Sequence, residues 1–498
     1  MSMILAIIAV QAASSTGPVA TSDQAAPSGQ TDQTGTAQPL GTQQAASPSV
    51  TTAGPGALTQ GSASQGSASQ GAASQTDASG GSTGLLLPRG TATDIRPSFT
   101  DGTGGVLIGD RRLDTVTLRR RPAYDPVGIR AGSYLIFPEV SSTVGYDSNV
   151  YRQRSGASDV FGRVRGAVQV RSDFPRNAVV FDGYVDQRVY GSYSTENALT
   201  YDAHLLGRLD FGRNDRITTE VRHTRAVMDR GAASEILNTR EPIRYDVTIS
   251  SIAGRKTFGR LSLGLGGAVS YADYDDAETP AGLPLSQQFR DSTVYQLHGD
   301  AGYALAAGPE LFVSVTGEAR RFRVAAPPIT RDANSVEVLG GVRSDITPLL
   351  RGQIGIGYIH ADFKDPTIRS RGALGINVAL DYLVTPLTTL HASARRELRN
   401  VASVTAPAAL VTEGRVGVDH ELLRNLILSG SVGYQHADYL NSDGTVRRYT
   451  VDGGARWLLN RRIRVDFDAG YQRRDGSGRA NNQEFGETRA SVGVAYHL

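Results

Sequence analysis

The chain lacks cysteine altogether and contains no apolar run long enough to form a membrane-spanning helix. Without cysteine, neither a disulfide framework nor a thiolate metal site can form. A helix that crosses a bilayer needs about 20 consecutive apolar residues, so insertion through helices is excluded. The sequence also has little excess charge, because the net charge of its 498 residues is only +2. This balance argues against a basic nucleic-acid-binding protein, and we expect no nucleic-acid partner.

The first 130 residues fall into three segments of different composition. The apolar run ILAIIAV at 4–10 is followed by small residues and predicts a secretory signal peptide over residues 1–12. Residues 13–84 are rich in Ser, Gly, Ala, Gln and Thr and cannot bury a core, which predicts a disordered tether. We interpret residues 85–130 as a periplasmic linker or a plug segment, and the sequence leaves both open.

From residue 131 to the end of the chain, stretches of about 10 residues alternate apolar and polar side chains. In RIRVDFDAGY (462–471), Ile463, Val465 and Phe467 lie on one face. Arg464 and Asp466 lie on the other. This period of two predicts β-strands with one face in an apolar medium.

The connections between these strands alternate in length. Eight are short, such as FPRN (174–177) and VTPL (384–387), and nine are longer and polar, such as MDRGAASEILNTREP (228–242). They separate 18 strands, with 16 as the alternative count. Short turns on one side and long loops on the other are typical of an antiparallel up-and-down transmembrane β-barrel.

Closure of this predicted sheet follows from the solvent. Hydrocarbon offers no partner for backbone N–H and C=O groups, so a spanning sheet must close on itself. We therefore expect the last strand, SVGVAYHL (491–498), to pair with the first strand near residue 133. The alternative, a soluble all-β sandwich or propeller, would carry its stronger apolar residues on an inner face.

Two stretches resemble known sequences of bacterial outer-membrane barrels. Ser491, Gly493, Tyr496 and Leu498 occupy the places of the assembly signal of Gram-negative barrels, with Leu where Phe or Trp is usual. Residues 121–151, RPAYDPVGIRAGSYLIFPEVSSTVGYDSNVY, resemble the first strand of the putative β-barrel porin 2 family of proteobacterial outer-membrane proteins. The matching elements are the Arg-Pro and Tyr-Asp-Pro leader, Gly-Ile-Arg, Phe-Pro, and Gly-Tyr-Asp-Ser-Asn.

These resemblances imply a localisation and a set of partners. The implied location is the bacterial outer membrane, with the N-terminal extension in the periplasm. The barrel-assembly machinery would insert the chain into the lipid bilayer. Because the family is often associated with exopolysaccharide or capsule production, the resemblance implies a role in the passage of glycans. A polysaccharide or a periplasmic export partner would then contact this protein.

If the apolar face lies against lipid, the opposite face lines a lumen that carries charges of both signs. The predicted lumen-lining charged residues are Arg165, Arg188, Glu220, Arg222, Glu318, Arg320, Arg395, Glu397, Glu413, Arg415, Arg448, Asp452, Arg456, Arg464, Asp466, Asp468 and Arg489. A barrel of 18 strands is wide enough for an aqueous channel. Alternatively, these charges form an ion-pair network that only stiffens the wall. Among aromatic residues, only Tyr184 and Phe322 are predicted in the lumen, too few for an aromatic track.

The sequence contains no pattern that indicates an enzyme. His360 and His436 lie in His-Ala-Asp triplets, but we find no serine placed to complete a nucleophile and base pair with either. There is no Gly-rich phosphate loop and no metal-ligand spacing. We therefore predict no catalytic, cofactor-binding or metal site.

The favoured function is a porin-like passive channel for polar solutes or oligosaccharides, with a possible role in exopolysaccharide export. The alternative is a non-conducting structural or adhesive barrel that binds a partner through its loops or its N-terminal tail.

Overall fold

The structure, a computed structural model, describes residues 115–211, 215–228, 230, 239–305, 308–324, 330–400, 406–478 and 484–498, without the side chain of Asn400. The predicted signal peptide (1–12), the tether (13–84) and the part of segment 85–130 before residue 115 lie outside the described residues. No helix in the described part of the chain is long and apolar enough to cross a membrane.

Eighteen long strands form a closed antiparallel barrel. The strands are β2 (Tyr134–Asp147), β3 (Asp159–Ser172), β4 (Ala178–Tyr190), β5 (Ala198–Asp210), β6 (Arg216–Val227), β7 (Arg244–Phe258), β8 (Leu261–Tyr274), β11 (Ser292–Ala304), β12 (Pro309–Phe322), β13 (Ala333–Thr347), β14 (Leu350–Phe363), β15 (Arg371–Thr385), β16 (Thr388–Asn400), β17 (Ala408–Leu423), β18 (Leu426–Tyr439), β19 (Thr445–Leu458), β20 (Ile463–Ser477) and β21 (Phe485–His497). The short strand β1 (Ile129–Ala131) pairs with β2, while β9 (Ala277–Glu278) and β10 (Pro284–Leu285) form a small hairpin within a loop.

Each barrel strand pairs with the next, and the last strand closes the barrel on the first. The β2–β21 ladder runs from Glu139↔His497 to Asp147↔Arg489. The predicted strand count of 18 and the predicted pairing of the two ends are therefore confirmed, and the count of 16 is wrong. Closure leaves no free edge on either terminal strand, as a sheet in hydrocarbon requires.

The connections alternate along the chain as predicted, with short turns at one end of the barrel and longer loops at the other. We call these ends the turn side and the loop side. The β7–β8 hairpin illustrates the chemistry of a short turn, because only two residues join the strands and Gly259 has φ +63°. Two-residue hairpins favour positive φ, which glycine adopts without steric cost.

The outer face of the barrel exposes large apolar side chains along its strands. Val144 and Leu265 are 61% and 65% exposed, and tyrosines such as Tyr434 and Tyr496 lie toward the two ends. A soluble protein would not leave a belt of this kind in water, but a bilayer covers it. The apolar face therefore lies outside, and polar side chains fill the inside where a globular protein has its core.

Candidate lumenal site

The register of the ladders decides which side chains share a face, because residues directly opposite each other on paired strands lie on the same side of the sheet. Every predicted lumen-lining charged residue lies on the face opposite the exposed apolar belt. For example, Arg165 pairs with Asp186 and Arg456 pairs with Asp466, whereas their neighbours Val164 and Trp457 are exposed on the outside.

Most of these lumenal charges form ion pairs within the wall. Arg222 contacts Asp202 at 2.8 Å, and Arg415 contacts Asp452 at 2.9 Å. Arg464 bridges Asp466 at 2.7 Å. Further pairs join Arg464 to Glu139, Arg489 to Asp147, Arg320 to Glu318, and Glu397 to Arg395 and Arg399. The sequence prediction omitted Glu139, Asp147 and Asp202, although each has the alternation of the lumenal residues on its own strand.

Three arginines on β3 and β4 differ from this pattern, because they contact aromatic rings. The guanidinium carbon of Arg165 lies 3.8 Å from the ring centre of Tyr184. Arg188 and Arg171 lie in the same way over Tyr190 and Phe137, at 5.4 Å and 5.8 Å. Among the described residues, none of the three has a carboxylate within 4.0 Å. We call the three arginines, the three rings that they contact and Phe161 the arginine–aromatic strip.

The sequence prediction that only Tyr184 and Phe322 face the lumen is wrong. Phe137, Phe161 and Tyr190 also lie on the lumenal face, since Phe161 pairs directly with Tyr190 and the two ring centres are 5.8 Å apart. Each shares the alternation of a lumenal charge on its own strand, and counting positions along the strand would have found it. From Phe161 to Arg171 the strip extends over roughly 33 Å of extended chain.

A glycine makes room for the aromatic part of this strip. The ring of Phe161 lies against Gly145 of the neighbouring strand β2. A Cβ atom at position 145 would come within 2.7 Å of Phe161 Cε1 and 2.9 Å of the carbonyl oxygen of Ala490. Only glycine therefore lets the ring lie against the wall at this position.

On the loop side, several loops fold onto the lumenal face and pack tightly. Arg290 lies 4.1 Å from the ring centre of Tyr274, and Arg331 lies 5.1 Å and 4.4 Å from the ring centres of Phe289 and Phe322. Burial and the neighbouring Arg290 lower the pKa of Arg331 to about 10. A second buried contact joins Arg230 to Glu196 at 2.6 Å. We call these residues the loop-side layer; it occupies part of the mouth at the loop side.

On the turn side, residues 115–125 cover part of the opposite mouth, and we call them the leader segment. Arg121 and Glu421 of β17 form an ion pair at 2.8 Å, with only 3% and 4% of their side chains exposed. The backbone N–H of Val116 donates to Thr389 Oγ1 on β16 at 3.1 Å. Burial lowers the pKa of Arg121, and Glu421 opposes that shift. The segment thus contacts the lumenal ends of two strands.

Each histidine of the two His-Ala-Asp triplets contacts the aspartate of its own triplet. His360 contacts Asp362 at 3.2 Å, and His436 contacts Asp438 at 3.0 Å. The sequence did not reveal the contacts of His391, whose two ring nitrogens lie 2.6 Å and 2.8 Å from carboxylate oxygens of Asp381 and Asp419. Within the described ranges, no cluster of three or more His, Asp or Glu residues is placed to hold a metal ion.

Several solved structures of outer-membrane proteins resemble this barrel weakly. The siderophore receptor PirA from Pseudomonas aeruginosa is 9% identical, covers 72% of this chain and 80% of its own, and has a TM-score of 0.36. The FrpB iron transporter from Neisseria meningitidis is 9% identical with 72% and 81% covered and a TM-score of 0.39. The copper transporter OprC is 11% identical with 74% and 81% covered and a TM-score of 0.39. These values are too low to bear on substrate or mechanism.

Sequence comparison is more informative. No curated protein matches the chain. A family profile described as "Putative beta-barrel porin 2" matches residues 121–498, which is well over half of the chain. The match includes the first strand that carried the resemblance and all 18 strands of the barrel. The chain therefore belongs to the Putative beta-barrel porin 2 family and is a β-barrel of the outer-membrane type.

Proposed function

We propose that this protein is a porin-like passive channel of the outer membrane for polar solutes, with acidic oligosaccharides as its favoured cargo. The observation that carries the proposal is the arginine–aromatic strip. Its arginines contact rings and leave their guanidinium edges without a carboxylate of any described residue within 4.0 Å. A carboxylate or sulfate on a sugar can accept two parallel hydrogen bonds from such an edge.

The aromatic rings of the strip suit the other half of a glycan. One face of a sugar ring presents C–H groups, and the faces of Phe and Tyr offer a rigid apolar surface for it. Alternating arginines and rings along β3 and β4 would contact a chain of acidic sugars repeatedly. Each contact would be weak, as conduction requires, because a cargo must leave a site as readily as it enters.

We also propose which side of the outer membrane each end of the barrel faces. In outer-membrane barrels the short turns face the periplasm. The leader segment and the N-terminal extension would then lie on the periplasmic side, where a polysaccharide export partner could reach them. The wider role would be the passage of exopolysaccharide, without catalysis and without a cofactor. Insertion would depend on the barrel-assembly machinery, with Ser491, Gly493, Tyr496 and Leu498 as its signal.

A second candidate function is a non-conducting structural or adhesive barrel. Two observations favour it: the loop-side layer occupies part of one mouth, and the leader segment covers part of the other. Ion pairs such as Arg343 with Asp300, at 2.7 Å, would then stiffen the wall. Loops or the N-terminal tail would carry the binding.

Single-channel recording in planar bilayers separates the two. We expect steady ohmic steps that acidic oligogalacturonates block at lower concentration than neutral malto-oligosaccharides. Arg165→Gln should weaken the block by the acidic sugars. Arg456→Gln, which removes an arginine paired with Asp466 at 3.2 Å, is the matched control and should change it less. Silence from a folded barrel would favour the scaffold, and equal block by both sugars would refute the acidic cargo.

A further inference from the structure

The wall of the barrel is incomplete between two neighbouring strands on the loop side. The β15–β16 ladder runs only from Ile376↔Arg396 to Thr385↔Thr388. On either side the ladders continue, since β14 pairs with β15 as far as Ala361↔Arg371 and β16 pairs with β17 as far as Asn400↔Ala408. In the described structure, no ladder joins residues 371–375 to residues 397–400. We call this gap the wall seam.

The seam has a cause in the packing of the β16–β17 hairpin. The alternation along β16 and β17 predicts that Leu398 and Ala408 lie on the outer face, like Val416, which is 54% exposed. Yet Leu398 and Ala408 are only 7% and 3% exposed, and they pack with Ile359 and Ala361 from the lumenal face of β14. The outer face of β16 and β17 at their loop-side ends therefore lies against the inner face of the wall. These strand ends bend into the mouth and leave the upper part of β15.

The seam opens at the level of the lipid headgroups. Tyr358 of β14 pairs with Leu374 of β15, and both are exposed on the outer face, at 55% and 48%. On the other side of the seam, Ala394 of β16 pairs with Gly414 of β17, which pairs with Tyr434 of β18, so Ala394 and Tyr434 lie at the same height. Ala394 is the outward-facing residue next to Arg396 on the turn side. Tyrosines at this height form the interfacial girdle of a barrel, where the hydrocarbon ends.

An arginine lies at the base of the seam on the lipid side. Arg396 lies between the lumenal residues Arg395 and Glu397 and so points outward, and it is half-buried. Its Nε atom is buried and has no hydrogen-bond partner among the described residues. Arg369, in the loop before β15, is exposed at the opposite edge, whereas Arg371 pairs with Ala361 and so faces the lumen. Arginine near a membrane interface reaches toward the headgroups, where anions can satisfy it.

We propose that the wall seam binds the phosphate of a lipid headgroup in the loop-side leaflet, with Arg396 as the main contact. A guanidinium group donates two parallel hydrogen bonds to a phosphate, and Arg369, in the exposed loop before β15, adds positive charge at the edge of the same opening. The absence of the β15–β16 ladder gives the headgroup room beside the wall. The proposal does not depend on the channel function, because the site lies on the outer surface.

The test is native mass spectrometry of the full-length protein titrated with bis-phosphorylated lipid A. We expect a retained lipid in the wild type, and loss of the charge-assisted contact in Arg396→Gln should weaken retention at least about tenfold. Arg396→Lys keeps the charge but not the paired donors, so its affinity should be intermediate. Heat-modifiable mobility on gels confirms that each variant is folded.

The matched control is Arg447→Gln. Arg447 is also an exposed outer-face arginine near the loop side, but the ladders on both sides of it are continuous, through His436 and Asp475. Its retention of lipid A should equal that of the wild type. Equal losses in Arg447→Gln and Arg396→Gln, or no loss in Arg396→Gln, would overturn the proposal. Displacement of the lipid by millimolar inorganic phosphate would also overturn it, since the headgroup would then not be the specific ligand.

Discussion

Removal of the Glu421 carboxylate should release the leader segment from the turn side of the barrel. Glu421 accepts from Arg121 at 2.8 Å and from Arg424 at 3.1 Å, and Arg119 lies 3.7 Å away. In Glu421→Ala, the guanidinium group of Arg121 would remain buried without a carboxylate partner as long as the leader segment stays docked. Leaving one member of a buried pair unpaired costs about 3–5 kcal/mol.

This cost has a limit set by the architecture. The leader segment can leave the wall and hydrate Arg121, so the loss cannot exceed the free energy of docking. Within that limit, about 3–5 kcal/mol corresponds to a fall of about 10²- to 10³-fold or more in the docking equilibrium constant. The consequence should be an exposed segment on an intact barrel, because the strand ladders do not involve this carboxylate.

Limited proteolysis measures the effect directly, because trypsin can cleave after Arg119 and Arg120 of the leader segment, whereas Pro122 blocks cleavage after Arg121. We expect fast cleavage there in Glu421→Ala and slow cleavage in the wild type. Asp173→Ala is the control: it removes the exposed pair with Arg130, at 2.7 Å and with side chains 54% and 27% exposed, and such pairs contribute only about 0–1 kcal/mol. Equal cleavage rates in Glu421→Ala and the wild type would refute the role of this ion pair.

Three further predictions concern packing, gating and assembly. Gly145→Ala should push Phe161 off the wall and destabilise the barrel by about 1–3 kcal/mol, which would lower the temperature of heat modification on gels. Gly162→Ala should leave this temperature unchanged, because a Cβ atom at position 162 would meet nothing within 4 Å. Deletion of residues 1–125 should raise the conductance in planar bilayers, because it removes the leader segment from the turn-side mouth. Tyr496→Ala should lower the yield of folded barrel in the outer membrane, measured by the same gel shift, if this tyrosine belongs to the assembly signal.

Each of these has an outcome that would contradict it. Equal stability of the Gly145 and Gly162 variants would mean that the Phe161 ring relaxes without cost. An unchanged conductance after deletion would show that the leader segment does not limit flow. Wild-type yields of Tyr496→Ala would remove this tyrosine from the signal.

The strands and their closure could be predicted from the sequence because both follow from local rules. Alternation in RIRVDFDAGY predicted a strand that the structure contains within β20. The short turns and long loops predicted the order of strands, since an up-and-down barrel pairs each strand with the next. The membrane supplied the remaining condition, that the ends must meet.

The arrangement inside the lumen depended on relationships that no local pattern contains. Arg121 and Glu421 are separated by 300 residues, and their pairing depends on the leader segment turning back across the mouth. Alternation does predict that Phe137 and Phe161 face the lumen. The contacts of Phe137 with Arg171 and of Phe161 with Gly145, however, depend on the register between strands. The bend at the loop-side ends of β16 and β17 is a similar case, because alternation places Leu398 on the lipid-facing side of β16 but the structure buries it.

The sequence alone therefore determined the fold class, the strand order and the alternation of side chains between the two faces of each strand. The physical reason is that a period of two and turn chemistry are properties of a few neighbouring residues, and hydrocarbon allows only closed sheets. Only the tertiary structure decided which arginines contact acids and which contact rings, how loops and leader meet the two mouths, and where the wall opens. Those features arise from side chains of distant segments packed against each other, and their geometry exists only once the barrel has closed.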